Sequence, residues 1–255
     1  MTRPDTPWPA VNEMIELRPG TVTTIASLPT AGRSTLTLNM ALHNALKGVN
    51  TLYTSSELTG DSLTEKAVTA MYGIDLRHRE APLGGWEAFS DRAKAEVEKL
   101  PLLFQSVSET TPEKAFRKGS VESQRRGMKL SLWLLDTLVH FSELTHTGRD
   151  YADYATAMAQ ARGIAHEHQI PVVITAKALN EEEDEPLTAE HVHPDVMKLS
   201  DQVLLLHREG VYWTSGPTSN DATITRLKPA TDPTEVVSLR FNPRLCRFAA
   251  FGINV

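Results

Sequence analysis

One stretch near the N-terminus, TVTTIASLPTAGRST over Thr21–Thr35, most constrains how this chain can fold. It begins with β-branched and apolar residues, which are typical of a buried strand over Thr21–Ala26. A loop of small residues follows, and apolar residues at helical spacing predict a helix from about Ser34. In a strand, loop and helix of this kind, backbone N–H groups and the helix N-terminus converge on a bound anion.

The loop matches part of the phosphate-binding pattern G-x-x-x-x-G-K-[ST]. Gly32 and the hydroxyl of Ser34 fit the pattern, and Ser27 is a mild change from its first glycine. Arg33 replaces a compact ammonium with a larger, planar guanidinium, which is not a conservative change. On the loop alone, a strand-turn-helix that binds nothing is an equally good interpretation. The residues assigned to nucleotide binding in this loop are Ser27, Pro29, Thr30, Ala31, Gly32, Arg33, Ser34 and Thr35.

The amino-acid composition limits which binding partners and which cellular compartment are expected. The 255 residues can fill one large α/β domain or two small ones. The net charge of −6 provides no global basic field for nucleic acid. Cys246 is the single cysteine, so no internal disulfide can form and a reducing, cytoplasmic location is expected. No run of about 18 apolar residues is present, so we expect no membrane span.

The order of predicted elements indicates an α/β fold. Buried strands alternate with helices in the first part of the chain, and β-rich segments follow from Asp201 onward. This order predicts a mainly parallel sheet with helices on both faces, extended by antiparallel strands. Residues 1–16 are interpreted as a lead-in, and residues 17–255 as a single domain. The predicted strands are Thr21–Ala26, Asn50–Ser56, Leu102–Gln105, Leu130–Leu135 and Ile170–Ala176. The predicted helices include Ser62–Met71, capped by Asp61, then Trp86–Leu100, one starting at Pro112, and Tyr151–His168.

Two acidic residues follow predicted parallel strands. Asp136 ends the apolar run LSLWLL, and Glu57 follows the strand NTLYTSS. Ligands of open α/β sheets gather at this edge, so Ser34 and Asp136 are candidate Mg²⁺ ligands and Glu57 is a candidate base that orients water. An acid directly after a strand also commonly caps the next turn, which is the alternative for Asp136 alone.

These motifs together resemble the C-terminal motor domain of the DnaB-type replicative helicases, among the RecA-like ATPases. The matching segments occur in the family's order and span nearly the whole chain. They are LRPGTVTTIASLPTAGRSTLTLNMAL, TLYTSSELT, LSLWLLDTL, DYATAMAQARGIAHEHQIPVVITAKALN, LSDQVLLLHREGVYW and ATITRLKPATDPTEVVSLRFNPRLCRF.

The resemblance implies a RecA-like P-loop NTPase fold with ATP and Mg²⁺ as cofactors. It implies that Glu57 is the catalytic glutamate and that Arg208 and Tyr212 form the family's Arg-x-x-x-Tyr turn, with Arg208 at the nucleotide. Arg226 and Lys228 match a basic pair that reaches a neighbouring subunit's ATP as an arginine finger. Because they are two apart on a predicted strand, both side chains are expected on the same face.

The chain departs from the family pattern at several positions. Arg33 stands for the loop lysine, and the basic pair is reversed in order. Lys177-Ala178-Leu179-Asn180 lacks the glutamine that senses nucleotide, and the acidic run Glu181–Glu185 follows. The family's N-terminal collar domain is not expected in this sequence. These departures leave the fold expectation intact but do not imply full motor activity.

Three functions are compatible with these residues. The first is a ring-forming ATPase that acts on single-stranded DNA in replication or in a mobile-element complex. The second is a catalytically weakened regulatory or assembly partner of such a complex. The third is an ATPase of the circadian-clock or recombination type. We favour nucleotide binding with helicase-related function, weak and salt-dependent DNA binding, and nucleotide-dependent homo-oligomerisation.

Overall fold

The computed structural model describes residues 2–74, 86–108, 110–138, 154–179, 187–209, 220–231 and 233–250. Helices and strands alternate through the first four-fifths of these residues, and strands follow. The helices are α1 (Pro9–Met14), α2 (Arg33–Leu46), α3 (Gly60–Tyr72), α4 (Trp86–Lys99), α5 (Pro112–Arg125), α6 (Tyr154–His168) and α7 (Pro194–Leu199). The strands are β1 (Val22–Ser27), β2 (Thr51–Ser55), β3 (Leu102–Ser106), β4 (Leu132–Asp136), β5 (Val172–Lys177), β6 (Gln202–Arg208), β7 (Asp221–Lys228), β8 (Val236–Asn242) and β9 (Arg247–Ala250).

The strands of the described residues form one mixed sheet in the order β3-β2-β4-β5-β1-β6-β7-β8-β9. The six strands from β3 to β6 pair in parallel, and β7, β8 and β9 continue the sheet by antiparallel pairing. The prediction of a mainly parallel sheet with an antiparallel C-terminal extension is therefore confirmed. Strands β1, β2 and β4 are buried along their whole length, as strands covered on both faces are.

Hydrophobic residues fill both faces of this sheet. One cluster joins α1, α2 and α3 to the sheet through residues such as Ile25 and Tyr53. The other joins α5, α6 and α7 to the opposite face, with Trp133 at its centre. Trp133 and Tyr53 are fully buried, so the central strands β2 and β4 are anchored on both sides. This rigid centre fixes the carboxyl ends of the parallel strands, where the candidate site lies.

The described part of the predicted lead-in, residues 2–16, contributes to the core. Helix α1 lies within this lead-in, and Trp8, Val11 and Met14 belong to the hydrophobic cluster. The indole N–H of Trp8 donates to the carbonyl of Phe248 at 3.1 Å, so the segment also holds strand β9. Pro9 at the first helical position favours the start of α1, a signal that the sequence analysis did not use.

The start of α3 corrects one local prediction. The N-cap is Thr59, whose hydroxyl accepts from the N–H of Ser62 at 3.2 Å, whereas Asp61 lies inside the first turn of the helix. The sequence predicts Asp61 as the cap because carboxylates favour the N-cap position. Carboxylates also stabilise the first turn of a helix, which is where Asp61 lies. The prediction that Pro112 begins α5 is confirmed, with Thr111 as its N-cap.

Some predicted features lie outside the described residues. They are Tyr212 of the Arg-x-x-x-Tyr turn, the first three residues of the predicted helix Tyr151–His168, Asn180, and the acidic run Glu181–Glu185. No helix within the described ranges combines the length and apolar composition that a membrane crossing requires.

Candidate functional site

The loop between β1 and α2 leaves the N-terminus of a helix open. Gly32 is the N-cap of α2 with φ 108°, and no side chain caps the helix and no acid lies in its first turn. Thr30, two residues earlier, also has a positive φ of 63°. Uncapped N–H groups and a helix dipole at this position are suited to an anion.

The remaining residues of the β1–α2 loop differ in their exposure. Ser27 is buried at the end of β1, and its hydroxyl donates to the carbonyl of Leu28 at 2.8 Å. Ala31 is buried, whereas Thr30 is exposed at the tip of the loop. Pro29 and Thr35 are half-buried within the same loop and first helical turn. The loop is thus anchored at its start and open at its tip.

Gly32 is required by close packing as well as by its backbone conformation. A Cβ atom at this position would lie 2.9 Å from Cζ of Phe248 and 3.5 Å from Cε2 of Phe241. The two phenylalanine rings stack with centroids 4.6 Å apart and lie on strands β8 and β9. The antiparallel extension therefore packs directly against the loop. This contact was not predictable from the local sequence, because it depends on the tertiary pairing of distant strands.

Ser34 and Asp136 meet as predicted. The Ser34 hydroxyl donates to Oδ1 of Asp136 at 3.2 Å, and the Thr175 hydroxyl donates to the same oxygen at 2.7 Å. Asp136 ends β4 and is only 1% exposed. Its carboxylate therefore accepts hydrogen bonds from both neighbouring elements, which is how a buried carboxylate is stabilised.

Tyr53 completes this cluster and was not predicted. Its hydroxyl lies 3.0 Å from Oδ2 of Asp136 and 3.2 Å from the carbonyl of Ser34. Burial, and next the charge of Asp136, raise the pKa of Tyr53 well above its usual value, so the phenol stays protonated and can donate. The sequence signal available for Tyr53 was a polar hydroxyl within an otherwise apolar, buried strand. Thr175 gives the same signal in β5.

The residues of this cluster fit a hard divalent cation. Mg²⁺ prefers oxygen ligands, and it is bound in phosphate sites by one or two protein oxygens and by the phosphates. Ser34 gives its proton to Asp136, which leaves the hydroxyl lone pairs available. Ser34 lies in the first turn of α2, beside the predicted anion site. Ser34 would hold Mg²⁺ directly, and Asp136 would orient Ser34.

Arg33 takes a different position from a lysine pointing into the loop. Its Nη1 donates to the carbonyl of Ser27 and, at 3.1 Å, to the carbonyl of Ala176. The guanidinium thus joins the carboxyl ends of β1 and β5 behind the loop. The two hydrogens of Nη1 can make both bonds. A lysine ammonium could also reach the two carbonyls, but it lacks the planar geometry of the guanidinium.

Glu57 lies at the expected edge of the sheet. It follows β2, where Ser55 is paired with Asp136 in the parallel register. The N–H of Ser56 donates to the carbonyl of Asp136 at 2.7 Å, which ties the segment before Glu57 to the end of β4. The Glu57 side chain is exposed at this edge. Glu57 therefore follows, by two residues, the strand position that pairs with Asp136.

Arg208 is connected to the β1–α2 loop by the two stacked phenylalanine rings. Its guanidinium lies 4.5 Å from the ring centroid of Phe241, whose partner Phe248 contacts Gly32. Burial lowers the pKa of Arg208. Its Nε and Nη1 atoms are buried with no hydrogen-bond partner among the described residues. A cation with unsatisfied donors at this edge of the sheet is suited to an anionic ligand.

The prediction that Arg226 and Lys228 project from the same face is wrong. A β-bulge interrupts the β6–β7 pairing, so Arg226 pairs with Leu204 and Lys228 pairs with Val203. Leu204 and Val203 are adjacent and belong to the clusters on opposite faces of the sheet. The extra residue, Leu227, breaks the two-residue alternation on which the prediction depended.

Each of these two cations has partners within its own chain. Arg226 donates to the carbonyl of Met14 and forms an ion pair with Glu235 at 3.0 Å. Lys228 donates to the carbonyls of Met197, Lys198 and Ser200 at 2.9, 3.3 and 2.6 Å, at the C-terminal end of α7. In this arrangement the two residues hold separate parts of the chain and do not form one cationic group.

Comparison with protein families gives one match that spans most of the chain. The family model described as the DnaB-like helicase C terminal domain matches residues 6–250. A curated relative, the replicative DNA helicase DnaB of Leifsonia xyli subsp. xyli (strain CTCB07), is 23% identical over 249 residues. The alignment covers 91% of this chain and 52% of the relative, so the chain spans about half the relative's length.

Solved structures show the same fold at low sequence identity. A structure described as an ATPase domain matches with a TM-score of 0.77 and 13% identity, covering 92% of this chain and 86% of that one. A DnaB-like replicative helicase, described with its interactions with primase, matches with a TM-score of 0.81 and 12% identity, covering 98% and 64%. The RadB recombinase matches with a TM-score of 0.60 and 15% identity, covering 98% and 99%. The fold is thus that of the RecA-like ATPase domains.

Proposed function

Because this chain belongs to the family of DnaB-like helicase C-terminal domains, we propose that it binds Mg²⁺-ATP at the β1–α2 loop and hydrolyses it. The observation that carries the proposal is the cluster of Ser34, Asp136 and Tyr53 beside the uncapped N-terminus of α2. A buried carboxylate that orients a hydroxyl in the first turn of this helix supports a metal–phosphate site more specifically than the loop spelling does.

The residues of the chain have separable roles in this proposal. Backbone N–H groups of the loop and the start of α2 bind the phosphates, and Arg208 contributes a second cation from β6. Bound Mg²⁺ would neutralise charge that develops on the transferred phosphoryl group. Glu57 orients the attacking water and accepts its proton. Most of the catalysis expected of such a site is positioning and electrostatic stabilisation.

The proposed setting is DNA replication or a mobile-element complex in the cytoplasm, with single-stranded DNA and replication proteins as partners. The family and the relatives that are described as replicative helicases support this setting. The net charge of −6 favours weak DNA binding that falls steeply with salt. We also propose that nucleotide promotes homo-oligomer assembly, because a ligand that binds the assembled form stabilises it.

Turnover by the purified chain tests the enzymatic part of the proposal. We expect slow Mg²⁺-dependent ATP hydrolysis that Glu57→Gln abolishes while nucleotide affinity stays nearly unchanged, because a base acts chiefly in the transition state. Exposed Glu98→Gln, in the last turn of α4 before the amino end of β3, is a matched control that should retain turnover. Equal losses of binding and turnover in Glu57→Gln would instead give Glu57 a structural role.

A second function, that of a regulatory or assembly partner with little turnover, is favoured by the position of Arg33. Its Nη1 is bonded to the carbonyls of Ser27 and Ala176, so these two donors are engaged within the chain and are not directed at a phosphate. Nucleotide binding without turnover, together with nucleotide-dependent capture of a replication protein, would support this function over that of a motor.

A further inference from the structure

A groove lies between the edge strand β3 and helix α5, away from the nucleotide site. Its volume is about 610 Å³. Leu103 and Gln105 of β3 line one side, and Arg117, Lys118 and Val121 of α5 line the other. Val121 is 46% exposed, which is unusual for a large apolar side chain among the described residues. The groove therefore combines an apolar surface with cations along its rim.

Close packing of α5 on the sheet fixes the floor of this groove. A Cβ atom on Gly119 would lie 2.6 Å from Leu52 and 2.8 Å from Oε1 of Gln105, so only glycine allows this approach. The amide of Gln105 donates to the carbonyl of Ala115 at 3.1 Å and accepts from the hydroxyl of Thr54 at 3.2 Å. These buried contacts indicate a groove that is formed before any partner binds.

The rim of the groove is positively charged in an acidic protein. Lys118, Val121 and Arg125 are spaced three and four residues apart, so they share one face of α5, and Arg117 lies beside them. Within the described ranges, no carboxylate forms an ion pair with Arg117 or Lys118. Arg125 has only a loose, exposed pair with Glu122 at 3.5 Å. Such exposed cations attract a partner of opposite charge.

Strand β3 is the last strand of the sheet on this side among the described residues. The carbonyl of Pro101 accepts from Thr51, and the N–H of Val107 donates to Ser55, so odd-numbered residues of β3 face β2. By the alternation of a strand, the N–H and C=O groups of Phe104 and Ser106 face away from β2. An outer edge of this kind is a template for another strand.

From these features we propose that the groove binds an extended acidic segment of a partner protein, which adds to β3 as a further strand. Its backbone pairs with Phe104 and Ser106, and apolar side chains on one face pack on Leu103 and Val121. Its carboxylates lie on that same face, between the apolar side chains, and approach Arg117 and Lys118, because side chains at the other positions of a strand point away from α5. Strand addition takes affinity from main-chain hydrogen bonds and specificity from alternate side chains. The apolar floor and the open strand edge favour a peptide over a nucleic acid.

A labelled peptide of about seven residues, the length of an ordinary strand, with valine and glutamate alternating along one face and threonine on the other, tests this proposal by fluorescence anisotropy. We expect binding that weakens as salt rises and that falls about tenfold or more in the double variant Arg117→Glu, Lys118→Glu. The matched control Arg92→Glu, Lys99→Glu changes the net charge equally on exposed sites of α4 and should bind as the wild type does.

Two further probes separate backbone pairing from simple charge attraction. A copy of the peptide N-methylated at alternate residues on one edge should lose binding, and a copy methylated on the other edge should keep it. Equal binding of both copies, equal binding of a valine–lysine peptide, or an unchanged affinity in the Arg117→Glu, Lys118→Glu variant would overturn the proposal. Tighter binding of oligo(dT) that the same variant abolishes would overturn it in favour of a nucleic-acid surface.

Discussion

The hydroxyl of Ser34 lies 3.2 Å from Oδ1 of Asp136, although the two residues are 102 positions apart in the chain. The contact joins the first turn of α2 to the end of β4 and crosses the carboxyl edge of the sheet. Thr175 donates to the same oxygen, and Tyr53 donates to the other oxygen of the carboxylate. Three hydrogen-bond donors from three different elements therefore hold the Asp136 side chain in place.

Removal of the Tyr53 hydroxyl should weaken both the fold and the site. In Tyr53→Phe, Oδ2 of Asp136 loses a buried donor, which typically costs about 1–3 kcal/mol of unfolding free energy. We also expect weaker Mg²⁺-nucleotide binding, because the carboxylate then orients Ser34 less firmly. Chemical denaturation and calorimetry measure the two effects.

Thr54→Val is the matched control for Tyr53→Phe. Thr54 is the next residue of β2, is buried, and bonds to Gln105 and Trp133 away from the nucleotide site. Thr54→Val should lower the free energy of unfolding but leave nucleotide affinity unchanged. The same loss of affinity in both variants would mean that Tyr53 acts only through the fold.

Substitution of Gly32 separates steric packing from backbone strain. Gly32→Ala places a Cβ atom against Phe248 at a positive φ, so we expect a loss of stability and of nucleotide binding. Gly48 also has a positive φ, of 80°, but nothing lies within 4 Å of its Cβ position. Gly48→Ala should therefore lower the free energy of unfolding only by the backbone strain, about 1–2 kcal/mol. Equal thermal shifts in both variants would contradict the packing of Phe248 on the loop.

Arg33→Lys should have opposite effects on two properties. The variant loses the planar contact with the carbonyls of Ser27 and Ala176, so ligand-free thermal stability should fall. A lysine is a compact point charge suited to phosphate, so nucleotide affinity should rise severalfold. Thermal shift and calorimetry test the pair of effects. Unchanged stability together with lower affinity would show that Arg33 is itself the phosphate ligand.

Single variants of Arg226 and Lys228 test the intersubunit role that the family resemblance implies for this pair. Because the bulge places the two side chains on opposite faces, they should not act as one unit. We expect that one of the two variants, Arg226→Ala or Lys228→Ala, removes most of any nucleotide-driven assembly seen by light scattering, while the other has a small effect. Full assembly in both single variants would contradict an intersubunit role for either residue.

Much of this site was predictable from local sequence. Ser34, Asp136 and Glu57 each follow a predicted strand or begin a helix, and parallel strands bring such ends to one edge. Tyr53 and Thr175 were missed because they lie inside strands, where a polar tip is interpreted as core. The Phe248–Gly32 contact depends on a hairpin more than 200 residues from the loop, and no local pattern reports that packing.

The wrong prediction for Arg226 and Lys228 has a specific physical cause. Two-residue spacing gives a shared face only in a regular strand, and Leu227 is an extra residue in β7. No turn residue or glycine in this segment indicates the bulge. The helix α1 was missed for a related reason: its six residues are too few to show a helical period, so its stability depends on burial of Trp8 and Val11.

Calorimetric titration of Mg²⁺-ATP into the wild type and Ser34→Ala tests the central claim most directly. The account predicts binding by the wild type that a chelator weakens, and a clear loss of that Mg²⁺-dependence in Ser34→Ala. Ser131→Ala, which removes an exposed hydroxyl far from the site, should bind as the wild type does. No heat and no thermal shift at millimolar Mg²⁺-ATP, or equal Mg²⁺-dependent affinity in Ser34→Ala, would contradict the assignment of this cluster as a nucleotide site.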